Sequence, residues 1–239
     1  MEFHFAGIGT LINVFAIFLG GVIGLVGGKF LTEKIQQTLQ TACAISVIFI
    51  GIGGALEKML IVHENFVEFS GTMLMIASLI IGGFIGEIID IDEKFERFGN
   101  FLKIKSGNSN DKKFVDAFVT ASLTVCIGAM AIIGAINDRL LNDSTILIAK
   151  SALDLIIILV MTASLGKGCI FSCISVGIFQ GAITFFAGII EPFMTELALK
   201  NLSCVGSILI FCVGVNLMFA NKIRVANLLP ALIIACLWK

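Results

Sequence analysis

Long apolar runs separated by short polar segments make up most of the chain. Runs of about 18 or more apolar residues are typical of transmembrane α-helices, whereas membrane β-strands alternate polar and apolar positions. The runs here are continuous. The pattern predicts an all-α polytopic membrane protein with about seven or eight transmembrane helices in one helical domain. The predicted spans are about 7–28, 38–56, 70–89, 114–135, 145–165, 168–190, 202–220 and 223–238.

The last predicted span is short. It has about sixteen residues, which at 1.5 Å per residue reach roughly 24 Å, against a hydrocarbon core of about 30 Å. The segment therefore either crosses where the bilayer is locally thinner or ends inside the helix bundle.

The longest polar connection, residues 90–113, has an amphipathic pattern. Ile91, Phe95, Phe98 and Leu102 follow the spacing of one helical face, and charged residues occupy the other face. Such a pattern favours a helix at the cytoplasmic membrane interface with its basic side towards lipid headgroups. The SGNSND sequence that follows is typical of a flexible linker.

The distribution of basic residues predicts the orientation. Eleven Lys and Arg residues follow the first, third, fifth and seventh spans, against four on the opposite side. Cytoplasmic loops carry the excess of basic residues, so we expect the first set to be cytoplasmic and the N-terminus outside. No Lys or Arg precedes the first apolar run, so this run is expected to be a retained helix rather than a cleaved signal peptide.

Composition excludes several function classes. The chain is 58% hydrophobic and only 14% charged, against about 25% charged residues in soluble domains. Its net charge of −1, with no massed basic patch, argues against a nucleic-acid partner. No phosphate-binding loop, HExxH or G-x-S-x-G motif occurs, so neither an enzyme nor a cofactor is expected. The seven cysteines form no CxxC pair, and the sequence leaves metal binding open.

Lys150 and Asp154 lie inside the fifth predicted span. A charge near the bilayer centre costs about 2.5–3.5 kcal/mol, but a spacing of four puts both side chains on one helix face, where they can pair. Two interpretations follow. The pair is structural, with Lys150 extending outward, or Asp154 is a cation or proton site that Lys150 tunes.

Further polar residues occur within the predicted spans. Hydroxyl groups can bond back to their own helix, whereas amide side chains need partners elsewhere. With Lys150 and Asp154, the residues predicted to line a polar pathway are Asn13, Gln180, Ser122, Thr124, Asn216 and Asn227.

Small residues recur at helical spacing. They predict close helix crossings in the sets Gly20, Gly24 and Gly28; Ser78, Gly82 and Gly86; and Gly177 and Gly181. Gly128 and Gly134 predict a bend or break near the outer surface. Residues 44–56 resemble residues 205–217 weakly, which suggests an inverted repeat of the kind found in secondary transporters.

Five segments carry a resemblance to a known family. They are GTLINVFAIFLGGVIG (9–24), FVTASLTVCIGAMAIIGAI (118–136), AKSALD (149–154), FQGAIT (179–184) and KIRVANLLPAL (222–232). The chain resembles the YdfK/YqgA-type bacterial integral membrane proteins, a family catalogued as a domain of unknown function. The resemblance implies a bacterial inner-membrane protein, and it places Asn13, Ser122, Cys126, Lys150, Asp154, Gln180, Arg224 and Asn227 within family-like motifs.

The sequence therefore favours a secondary transporter or channel for a small solute or ion, with Asp154 in the coupling or coordinating role. The alternative is a non-transporting membrane scaffold or accessory subunit. The expected partners are the lipid bilayer, a small solute or ion, and a second copy of the chain in a homodimer.

Overall fold

The computed structural model describes residues 7–64, 66–219 and 223–238, which are predominantly helical. A small antiparallel hairpin, which the sequence pattern does not predict, is formed by the strands β1 (Leu60–Val62) and β2 (Val67–Phe69). The α-helices of the described residues are, in chain order, α1 (Ile8–Gly28), α2 (Glu33–Met59), α3 (Thr72–Ile89), α4 (Ile91–Lys105), α5 (Phe114–Cys126), α6 (Ala129–Leu140), α7 (Thr145–Leu165), α8 (Ser172–Phe185), α9 (Ala187–Ile190), α10 (Glu196–Phe219) and α11 (Pro230–Leu237).

Six helical segments in the described part of the chain are long and apolar enough to cross a membrane. The bent pair α5 and α6 raises this number to seven if it forms one span. The apolar segment Val225–Leu237 is shorter than these. The prediction of an all-α polytopic membrane protein is thereby confirmed, with six or seven candidate spans against the predicted seven or eight.

The helices group into two compact units. The first unit comprises Met1–Cys43, Phe95–Cys126 and Met130–Glu191. The second comprises Ala44–Lys94, Ile127–Ala129 and Pro192–Lys239.

In the first unit, α1 packs against the backbone of α7. A Cβ atom at Gly20 would collide with the carbonyl oxygen of Leu155, and one at Gly24 with that of Leu159. Side chains at these positions would hold the helices apart, so the glycines permit the close crossing that their spacing predicts. The glycines of α8 differ, because no described atom lies near the missing Cβ of Gly181. A close crossing at Gly181, within or between subunits, stays a prediction.

In the second unit, α3 packs closely against the end of the chain. A Cβ atom at Gly82 would meet the backbone nitrogen of Ala231 in α11, and one at Gly86 would collide with the carbonyl oxygen of Asn227. The small-residue stripe of α3 therefore also marks a close crossing.

The predicted amphipathic helix is α4, and part of its apolar face is covered by the protein itself. Leu102 is buried in a cluster with Phe114 and Phe118 of α5. The rings of Phe98 and Phe118 lie edge to face, with their centroids 5.8 Å apart. This contact fixes the second half of α4 on α5, so these residues are not available to insert into lipid.

Candidate functional site

Lys150 and Asp154 form a buried ion pair on α7. The ammonium nitrogen of Lys150 lies 2.5 Å from Oδ2 of Asp154, and the two residues are only 6% and 4% exposed. The spacing of four residues puts one side chain directly above the other, as the sequence predicts. Each charge therefore satisfies part of the other's need for a counter-charge away from water.

A main-chain carbonyl completes the environment of Lys150. The ammonium group also donates a hydrogen bond of 2.8 Å to the carbonyl oxygen of Val125. Val125 lies in the last turn of α5, where helix carbonyls lack an amide partner within their own helix and carry partial negative charge. The end of α5 thus acts as a second acceptor for the Lys150 cation.

This carbonyl is available because the helix is interrupted. The chain leaves the α-helix after Cys126, and α6 continues at an angle of about 60° to α5. Gly128, with φ +145°, occupies a conformation that side-chain-bearing residues rarely adopt. The predicted break in this helix is confirmed, although it lies in the middle of the predicted span 114–135 rather than near the outer surface.

Two amide side chains lie beside the ion pair. Asn13 of α1 donates a hydrogen bond of 3.3 Å from Nδ2 to Oε1 of Gln180 of α8, and Asn13 also interacts with the Asp154 carboxylate. Both amide residues are completely buried. Among the described residues, Asn13 Oδ1 and Gln180 Nε2 have no hydrogen-bond partner. The site therefore holds one spare buried acceptor and one spare buried donor, which is unusual because buried polar atoms are normally satisfied.

Hydroxyl groups extend the polar contacts between helices of the first unit. The hydroxyl groups of Ser122 in α5 and Ser175 in α8 lie 2.9 Å apart, and both residues are buried. Thr124 instead donates to the carbonyl oxygen of Thr120 in its own helix at 2.8 Å. Ser122 therefore joins an interhelical contact, whereas the hydroxyl of Thr124 is used locally.

Asn216 and Asn227 belong to the second unit and take no part in the hydrogen bonds around Asp154. Asn216 bonds through both ends of its amide to the backbone of Ile223, at 2.6 and 2.9 Å. Asn227 donates to Oε2 of Glu87 at 2.6 Å and accepts from the backbone amide of Asp92 at 2.8 Å. These contacts fix the chain around the ends of α10 and α3, and both amides have a structural use.

Three contributors to the polar contacts of the first unit are absent from the residues that the sequence singles out. The acceptor at Val125 is a main-chain carbonyl, which no side-chain pattern in the sequence indicates. Ser175 precedes Gln180 by five residues on α8 and has the pattern of an ordinary helix hydroxyl. Asp138 follows an apolar run, where a carboxylate is usually solvated, yet it is 2% exposed and contacts the start of α1.

The described residues contain no group of three or more His, Cys, Asp or Glu side chains that could hold a metal ion. At Asp154 the place of a bound cation is taken by the Lys150 ammonium group. A hard cation would find oxygen ligands at Asp154 and Val125, but it would first have to displace Lys150.

Two related proteins are similar to the chain along nearly its whole length. The chain is 29% identical over 226 residues to the uncharacterized membrane protein YdfK of Bacillus subtilis (strain 168), a match that covers 95% of this chain and 93% of YdfK. It is 28% identical over 232 residues to the uncharacterized protein YqgA of Escherichia coli (strain K12), a match that covers 95% of this chain and 94% of YqgA. No solved structure matches the chain.

A family model confirms the resemblance seen in the sequence. The model described as "Protein of unknown function (DUF554)" matches residues 8–239, which is nearly the whole chain. With its apolar helices and its membrane-protein relative, the chain is a polytopic membrane protein and belongs to the DUF554 family.

Proposed function

We propose that the protein moves a small ion or solute across the membrane, as a secondary transporter or a channel, and that Asp154 exchanges a proton or a cation. The observation that carries the proposal is the buried Lys150–Asp154 pair beside an interrupted helix. Secondary transporters commonly place discontinuous helices at membrane depth, with half-helix ends facing the transported ion. Ionisable groups at such depth are usually functional.

The ion pair offers two alternative states. A proton on Asp154 neutralises the carboxylate and removes the Coulomb attraction that holds Lys150 in place. Release of the proton restores the pair. Binding and release at Asp154 thus alternate a paired centre with an unpaired one, and a bistable element of this kind is what coupled transport requires.

The unpartnered amide atoms beside the ion pair support the passage of a polar species. Asn13 Oδ1 and Gln180 Nε2 offer one acceptor and one donor on facing helices, with no partner among the described residues. A small polar species or a hydrated ion passing Asp154 would find hydrogen bonds there. The paired, buried arrangement corresponds to an occluded state of this pathway.

A second function, that of a non-transporting scaffold or accessory subunit, is favoured because the Lys150–Asp154 pair needs no further partner. Lys150 is satisfied by Asp154 and by the Val125 carbonyl without any transported species. In a non-transporting scaffold or accessory subunit, the pair would serve only to join α5 and α7. The two functions differ in the wild-type protein, because only a transporter or channel has a flux that is lost when both charges are removed together.

The test is ion flux in sealed vesicles containing the purified protein, measured with a proton-sensitive dye and a panel of monovalent ions and small solutes. Asp154→Asn should abolish flux, whereas the control Asp116→Asn, an exposed carboxylate in the first turn of α5, should leave it unchanged. The double variant Lys150→Met/Asp154→Leu replaces the pair by apolar side chains and should fold but carry no flux. A folded double variant with full flux would reject the role of Asp154, and a folded wild-type protein with no flux for any species would reject transport.

The homodimer and the bacterial inner membrane are part of the same proposal. Close helix crossings built from small residues also occur between subunits in membranes. Native mass spectrometry of the detergent-solubilised protein should show two copies. Fractionation of bacterial cells that express the protein should place it with the inner membrane.

A further inference from the structure

The second unit contains a cavity of about 460 Å³. Its walls come from the end of α2, the segment after β2, the first turn of α3, the beginning of α10 and Trp238 near the end of the chain. Asn201 of α10 donates a hydrogen bond of 3.2 Å to the carbonyl oxygen of Trp238, which holds the last segment in place as one wall.

The charged residues that line the cavity are both basic. They are Lys58 at the end of α2 and Lys200 in α10, and no Asp or Glu belongs to the lining. Lys58 contacts Glu57, which lies outside the lining, at 2.6 Å. Lys200 has no ion-pair partner among the described residues. The cavity therefore carries a positive charge that the surrounding described residues only partly neutralise.

Backbone amides add to this positive potential. Gly71 precedes α3 in a left-handed conformation, with φ +80°, and no side chain caps the helix. The next three residues, Thr72, Met73 and Leu74, all line the cavity. First-turn amides of a helix have no partner within the helix and carry partial positive charge. The first turn of α3 contains no acidic residue to offset them.

Apolar surface adjoins the basic groups. Phe69, Met73 and Leu197 also line the cavity, and each is at least 50% exposed. In a polytopic membrane protein, exposed apolar side chains beside lysines match the boundary between acyl chains and headgroups, where aromatic and basic residues are enriched. A ligand that fits this surface has an anionic group and an apolar part.

We propose that the cavity binds the phosphate group of an anionic membrane phospholipid. Lys58 and Lys200 attract the phosphate oxygens, the first-turn amides of α3 donate to them, and the acyl chains lie along Phe69, Met73 and Leu197. Free inorganic phosphate shares the charged part of this chemistry but lacks the apolar part. The proposal uses only residues of the second unit and is independent of transport at Asp154.

The test is native mass spectrometry of the full-length protein, delipidated in detergent and then supplied with palmitoyl-oleoyl phosphatidylglycerol or with the zwitterionic phosphatidylcholine. The wild type should retain phosphatidylglycerol preferentially. The double variant Lys58→Ala/Lys200→Ala should retain less phosphatidylglycerol by a factor of about ten or more, since each cation near the membrane surface contributes to attraction of anionic lipid. The control is Lys34→Ala, an exposed lysine at the opposite end of α2, which should behave as the wild type.

Two further arms complete the test. In the first arm, millimolar inorganic phosphate is added and melting temperatures are measured. If phosphate stabilises the wild type but not the double variant, and the wild type shows no preference between the lipids, the cavity binds a soluble phosphate rather than a phospholipid. Equal retention of phosphatidylglycerol by the wild type and the double variant would overturn the proposal. So would an equal loss in the Lys34→Ala control, because retention would then reflect general surface charge.

Discussion

The carboxylate of Asp138, near the end of α6, accepts a hydrogen bond of 3.1 Å from the backbone amide of Gly9 in the first turn of α1. The residue before α1 is Gly7, which provides no side-chain cap. A carboxylate from another helix thus takes the place of the usual capping side chain, and its negative charge faces the positive end of α1.

Removal of this cap should weaken the first unit. Asp138→Ala leaves the Gly9 amide without its acceptor and should lower stability by about 1–2 kcal/mol, as for other helix caps. Asp138→Asn keeps an acceptor oxygen and should lose less. The measurement is the melting temperature of the purified protein in detergent, and an unchanged value for Asp138→Ala would contradict the capping role.

The crossing of α1 and α7 depends on Gly20. Gly20→Ala puts a methyl group against the Leu155 carbonyl oxygen and should destabilise the protein by about 1–3 kcal/mol, the usual effect of overpacking. Gly27 lies on the same helix with no atom near its missing Cβ, so Gly27→Ala should be neutral or slightly stabilising. Thermal unfolding in detergent compares the two variants, and equal melting temperatures would show that the crossing tolerates a wider spacing.

The ion pair on α7 should show strong coupling in a double-mutant cycle. Lys150→Met or Asp154→Leu alone leaves one buried charge without its partner and should lower stability by roughly 3–5 kcal/mol. The double variant leaves no unpaired charge, so it should be more stable than either single variant. Melting temperatures and expression levels of the four proteins provide the cycle. Additive losses would mean that water reaches both groups.

Arg224 should stabilise the C-terminal end of α3 through its ion pairs. Its guanidinium group contacts Glu87 and Asp90 and lies 3.6 Å from Asp92. Desolvation lowers the pKa of Arg224, but the three carboxylates outweigh it and raise the pKa above its ordinary value, so the cation persists at every pH at which the protein is studied. Arg224→Ala leaves three carboxylates to repel one another, so its melting temperature should be lower than that of the wild type. Because salt screens this repulsion, the difference in melting temperature should be smaller at high salt.

The control for the salt effect is Lys113→Ala, an exposed lysine before α5. Its melting temperature should equal that of the wild type at both salt concentrations. A loss in Arg224→Ala that does not depend on salt would assign the effect to packing of the side chain rather than to its charge.

The fold class can be predicted from the sequence because continuous apolar runs of membrane length are characteristic of transmembrane helices. The pairing of Lys150 with Asp154 can also be predicted, since a spacing of four fixes neighbours on one helix. An interhelical contact of Asn13 and Gln180 can be predicted as well, because amides inside apolar helices need partners. Their direct contact, across 167 positions of the chain, could not be deduced from local pattern.

Other parts of the site depend on long-range packing, which a local pattern does not reveal. Asn216 and Asn227 look equivalent to Asn13 in the sequence, but their partners are backbone and carboxylate groups of the second unit. Gly128 and Gly134 look equally able to break the fourth predicted span. Only Gly128 has the positive φ that interrupts the helix, whereas Gly134 packs against Leu147.

The acceptor that Val125 offers to Lys150 belongs to the main chain, and this has a consequence for mutational tolerance. Exchange of the buried Val125 side chain alters packing but leaves the oxygen in place, so a scan of side chains would not reveal the hydrogen bond to Lys150. The residue that preserves the oxygen's direction is Gly128, where any Cβ opposes the observed backbone angle. Tolerance of apolar residues of similar size at 125, combined with intolerance of any side chain at 128, would therefore be the genetic signature of this contact.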